Sequence, residues 1–140
     1  MKSQAYFLEE YRLIVEVVLD LVSHEMIVAL KKRARQAGWI RPGTNFLVCV
    51  NHGTVAITQK EFLQYSEWSA QNLPELKGSR IAVIADSPLL SALNIILKKH
   101  VSGTRTIEVF TTLRAAADWL AVPKELILEK VPETRIHDLD

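Results

Sequence analysis

A single cysteine, Cys49, stands in 140 residues, so no internal disulfide can form and the chain suits a reducing cytoplasm. Glycine is sparse, with five residues too scattered to build a phosphate-cradling loop. The four histidines, at 24, 52, 100 and 137, never fall at the H-x-x-x-H spacing that brings two imidazoles to one helix face. No metal or cofactor is therefore expected. No long uncharged apolar run exists either. The nearest, Leu13–Val22, is interrupted by Glu16 and Asp20, which argues against a signal peptide and against a membrane span. An excess of one charge is also missing: the net value is +1, without the basic bias of a nucleic-acid footprint. The densest basic stretch, Lys31-Lys32-Arg33-Arg35, falls in the last turns of a predicted helix. There it complements the helix dipole and reads as a solvated face.

What is present is enough for one core. Hydrophobic residues make up 49% of the chain and charged residues 24%, the balance of a soluble domain. Gln4–Glu9 and Arg12–Leu19 read as strands. The corner Glu9-Glu10-Tyr11 is too short for anything but an antiparallel return. In the second strand Ile14 and Val18 flank Glu16 on one face. Leu13, Val15, Val17 and Leu19 form the wholly apolar face expected to meet the core. Ser23 can cap a helix to about Ala37 with Met26, Ile27, Leu30 and Ala34 as its buried stripe, and Gly38 supplies the stop. Asn45–Val50 is apolar almost throughout, as a central strand covered on both faces requires.

Thr58-Gln59-Lys60-Glu61 matches the capping box, opening a helix that ends before Pro74. Then the same event happens twice. Arg80–Ala85 leads through Asp86-Ser87-Pro88 into Leu89–Leu97, and Thr106–Phe110 leads through Thr111-Thr112 into Leu113–Leu120. A β-branched run that stops at a capping residue and turns helical is a strand feeding a helix in a parallel sheet. Leu113, Ala116, Ala117 and Leu120 make a narrow seam of small residues. Trp39, Trp68 and Trp119 are expected to anchor helices on the sheet, with Trp39 partly exposed in a turn and Trp119 substantially buried. The order is β-β-α-β-α-β-α-β-α: an α/β fold with a mixed, mostly parallel five-stranded sheet and crossover helices. Residues 1–122 form the domain. Residues 123–140 read as a C-terminal tail with two alternatives: Leu126-Ile127-Leu128 can dock on the domain, while Pro132 and the charged end suggest a loose segment.

These elements, with Arg41-Pro42-Gly43 before the third strand, Thr58 opening a helix, Ser87-Pro88-Leu89 and Val109-Phe110-Thr111, resemble the SpoIIAA-like family. That family shares the STAS fold of bacterial anti-sigma-factor antagonists. Ala117-Asp118-Trp119-Leu120 is the most distinctive piece, and the resemblance spans Gln4 to Leu120. It is nearest to the single-domain bacterial subgroup whose role is unknown. The resemblance implies a non-enzymatic regulatory or protein-interaction module, with a protein partner or a second copy of the chain as its target. The antagonists carry an Asp-Ser pair in the loop after the third strand, where the serine is phosphorylated. Here that loop reads Val50-Asn51-His52-Gly53-Thr54, and no phosphorylation switch is carried over.

Asn51, His52 and Thr54 follow the third strand, and Asp86 and Ser87 follow the fourth. Both sets stand at the carboxyl edge where open α/β sheets bind ligands, and they form the expected binding surface. Ser87 is expected to spend its hydroxyl on capping. An alternative is a carrier of a small apolar or lipid-like ligand, with Leu89–Leu97 as one wall of its pocket. A third is an enzyme using Cys49, His52 or Asp86. No catalytic residues are assigned, because a cysteine within an apolar central strand behaves as an inert small hydrophobe.

Overall fold

The capping and periodicity signals translate directly into elements. The computed structural model describes residues 3–18, 23–50, 57–85, 88, 92, 95–96, 98–99 and 104–138. Strands β1 (Gln4–Leu8) and β2 (Leu13–Val18) are joined by a 3-10 turn at Glu9–Tyr11. Helix α1 (His24–Gln36) begins where the Met26 amide donates to Ser23 Oγ at 3.2 Å, and Gly38 turns left-handed beyond its end. Strand β3 (Asn45–Val50) precedes helix α2 (Gln59–Asn72). There the amides of Thr58 and Glu61 donate to each other's side chains at 3.0 and 3.1 Å, the expected capping box. Strands β4 (Arg80–Ala85) and β5 (Thr106–Phe110) follow. Helix α3 (Leu113–Leu120) is capped by Thr112 and buries all four residues of its small-residue seam.

The five strands lie in one sheet in the order β1-β2-β3-β4-β5. The first pair is antiparallel and the others are parallel, so the mixed sheet with an antiparallel opening strand is borne out. Register carries one row straight across it: Ala5, Glu16, Val48, Val83 and Val109 are successive neighbours.

Consecutive parallel strands that neighbour one another force their crossovers onto one side, because right-handed connections cannot alternate sides in that order. Helices α1 and α2 accordingly share a face, packing on Ile14, Phe46, Val18, Val50 and Val83. The opposite face, with Val15, Val17, Leu47, Cys49 and Ile84, needs another cover. It comes from α3 and from the C-terminal segment. The loose reading of the tail is therefore corrected. Residues 124–130 form helix α4 (Lys124–Lys130), a 3-10 turn follows over Pro132–His137, and Ile127 and Val131 are completely buried in the core. A wholly apolar sheet face left open to water costs about 25 cal/mol per Å2, and the tail carries the side chains that close it.

Two further expectations change. Both faces of β2 are buried, not only the Leu13-Val15-Val17 face. Trp119 is half-buried, its ring 5.7 Å from that of Phe110 and capped by the Arg80 guanidinium at 4.2 Å. Trp39 keeps the partial exposure expected of it, stacked on Phe7 at 5.5 Å.

Candidate functional site

Glu16 follows Ile14 by two residues, so strand alternation aims it at α1 and α2. On α1, Lys31 lies four residues after Ile27 and three before Ala34, which turns it toward the same sheet face. The two meet inside the protein. Lys31 Nζ donates to both carboxylate oxygens of Glu16, at 2.7 and 2.8 Å, with side-chain exposures of 6% and 3%. The ammonium also stands 4.8 Å from the centre of the Phe46 ring and 5.8 Å from that of Tyr65.

Burial alone would lower the pKa of Lys31, but the Glu16 carboxylate and Tyr65 outweigh it and hold the amine above its ordinary value. Lys31 is thus a fixed cation at neutral pH, not a nucleophile. The sequence reading placed it on a solvated basic face. That is corrected for Lys31, whereas Lys32, Arg33 and Arg35 are exposed. Arg35 reaches the Asn72 carbonyl and lies 3.5 Å from Glu75.

The ion pair closes one end of a partly open cavity of about 80 Å3 between the sheet and the two helices. Met26, Ile27, Phe62 and Tyr65 form the helix side, and Val48, Val83 and Ile107 the sheet side. The cavity also reaches Val18 and Val50, the last residues of β2 and β3. Its volume is about half of the ~150 Å3 that admits a benzene ring in an apolar interior. Val48 and Ile81 keep partial exposure in the midst of the sheet because this space lies above them.

Every candidate at the carboxyl edge, Asn51, His52, Thr54, Asp86 and Ser87, lies outside the described residues. So does most of Leu89–Leu97, and the cavity walls that are described come from α1, α2 and the sheet. Cys49 faces the opposite core with no exposure, and burial pushes its thiol up to about 12. As a nucleophile at neutral pH it is disqualified. Among the described residues no group of three His, Cys, Asp or Glu could hold a metal ion. No described helix is long and apolar enough to cross a membrane.

The sequence reading missed the Glu16–Lys31 pair, although a signal was present. Each residue is a charge of opposite sign set within an apolar run, Glu16 in a strand and Lys31 beside a buried helical stripe. Comparison of the chain with protein families, curated proteins and solved structures finds no match.

Proposed function

We propose that this chain is a non-enzymatic binding module of the SpoIIAA-like, STAS-fold kind. It receives one apolar side chain of a protein partner in the groove beneath α1 and α2. The observation that carries this reading is a partly open apolar cavity in which the charges among the described lining residues, Glu16 and Lys31, neutralise each other. Among the described lining residues there is no poised acid, base or nucleophile. A volume near 80 Å3 is far below the ~300–1,000 Å3 of small-molecule sites, and it matches the branched end of one aliphatic side chain. From Val50 the chain continues into Asn51, His52 and Thr54, and from Ala85 into Asp86 and Ser87. The resemblance assigns partner contact to that edge, and the single cysteine favours the cytoplasm as the place of action.

The test is capture of a partner by the intact chain, repeated with Ile27→Glu in the groove wall and Ala29→Glu on the exposed side of α1. Both variants place the acid in the first half of the helix, where the dipole tolerates it. Binding that survives Ala29→Glu and is lost with folded Ile27→Glu supports the reading. Equal binding by all three refutes it. The cavity's polar end also favours a second reading, a carrier of a short apolar ligand with one hydrogen-bonding group. Native mass spectrometry of the purified chain distinguishes it, because a carrier retains a small-molecule adduct that Ile27→Glu releases.

A further inference from the structure

A second concavity lies elsewhere on the molecule, between the β1–β2 corner and the end of α1. It measures about 400 Å3, within the range of small-molecule sites, and its lining includes Glu9, Arg12, Trp39, Arg41 and Thr44. We propose that this cleft binds a small phosphate ester, held between the guanidinium groups of Arg12 and Arg41 beside Trp39. The site is independent of the groove beneath α1 and α2.

Three observations carry the assignment. The first is backbone strain: Arg12 adopts φ 49° and ψ 47°, a left-handed conformation that glycine or asparagine would occupy more cheaply. The fold enforces it, since the Arg12 amide donates to the Glu9 carbonyl at 3.1 Å and its carbonyl accepts from the Asn45 amide at 3.0 Å. An arginine kept at a strained corner points to work done by its side chain.

The second observation is how the guanidinium groups are held. Arg12 Nη1 donates to the Pro42 carbonyl at 3.4 Å, and Arg41 Nε donates to the Gly38 carbonyl at 3.0 Å. Each bond shown takes one of the five N–H donors of its guanidinium, and both side chains line the cleft. Gly38 and Gly43, both left-handed, turn the backbone beside these two side chains: Arg41 Nη2 and Arg12 Nη1 are the nearest atoms to where their β-carbons would stand.

The third is the ring and charge arrangement. Trp39 is fixed by its stack on Phe7, with 15° between the planes, and Thr44 Oγ1 donates to the Trp39 carbonyl at 2.9 Å. Two guanidinium forks suit a phosphate, whose several oxygens can serve both, better than a carboxylate, whose two oxygens one fork already consumes. Glu9 leaves the cleft a net single positive charge and can accept a hydrogen bond from a ligand hydroxyl, which favours a hydroxyl-bearing ester over free phosphate.

Titration calorimetry on the intact chain with glycerol phosphate, inorganic phosphate and succinate tests this, with tryptophan fluorescence as a second readout. Glycerol phosphate should bind most tightly and weaken as salt rises, because the site is exposed. Arg12→Gln and Arg41→Gln should each weaken it about tenfold or more, the loss of a charged hydrogen-bonding partner, while exposed Arg33→Gln leaves it unchanged. Arg12→Gly is the decisive variant: it relieves the left-handed strain, so it should melt no lower than the parent and still lose binding. The proposal is overturned if glycerol phosphate does not bind at ~10 mM, if Arg12→Gly binds normally, or if succinate binds as well as the ester.

Discussion

Removing the Lys31 ammonium should be among the most damaging single changes available in this chain. With its side chain 3% exposed, Glu16 is almost wholly shielded from water, and both its oxygens accept hydrogen bonds from Lys31. Lys31→Met keeps the length and apolar stem of the side chain but leaves a carboxylate buried alone, which costs about 3–5 kcal/mol. That is a large share of the ~5–15 kcal/mol available to a domain of this kind. The double variant Glu16→Leu/Lys31→Met removes both charges and should be nearly neutral, or more stable by up to about 4 kcal/mol. Urea unfolding followed by tryptophan fluorescence gives all these values, and the two single changes should be strongly non-additive.

The parent chain has its own signature at high pH. The amine of Lys31 is held above its ordinary 10.5, so the pair's contribution is complete below that value and is lost as pH rises through the higher folded value. Stability should therefore decline in the alkaline range, and the double variant should lack that part of the decline. A loss under about 1 kcal/mol for Lys31→Met at pH 7 would mean a solvated pair, and the cavity reading would fall with it.

Truncation after Val122 should abolish cooperative unfolding, because it strips completely buried Ile127 and Val131, each worth about 1.5–3 kcal/mol, from an apolar sheet face. An unchanged melt of the shortened chain would refute the role of the tail as cover. Trp119→Ala should cost about 2–3 kcal/mol in urea unfolding, less than the ~3–5 of a fully enclosed tryptophan, because the indole is half-buried between Phe110 and Arg80. Cys49, fully buried with its thiol raised to about 12, should resist thiol reagents at pH 8 until the chain is unfolded. Rapid labelling of the native protein would contradict its place in the core.

The candidate site was legible in the sequence only in part. A cavity between helices and sheet was anticipated for an apolar ligand, but with Leu89–Leu97 as a wall, whereas the described walls come from α1, α2 and the sheet. Topology alone marks the polar candidates after β3 and β4, and they lie outside the described residues. The Arg12–Arg41 cleft left no trace in the sequence pattern. Its two arginines are far apart in the chain and meet only because the β1–β2 corner lies against the end of α1.

Helix starts at Ser23, Thr58 and Thr112, the stop at Gly38, and the strand runs at 45–50, 80–85 and 106–110 were determined by the sequence itself. Each depends on interactions within about four residues: a side-chain cap, a left-handed glycine, or a β-branched run. The tertiary structure alone decided which face each charge meets and what closes the second side of the sheet. Glu16 reads locally as the polar residue of a half-exposed strand, and Lys31 as part of a basic helix end. Only the packing of α1 over β2 turns them into a buried pair. The C-terminal segment likewise reads locally as either docked or loose, because its partners, Val15, Leu47 and Ile84, stand far back in the chain. Burial depends on those distant neighbours, and no local pattern records them.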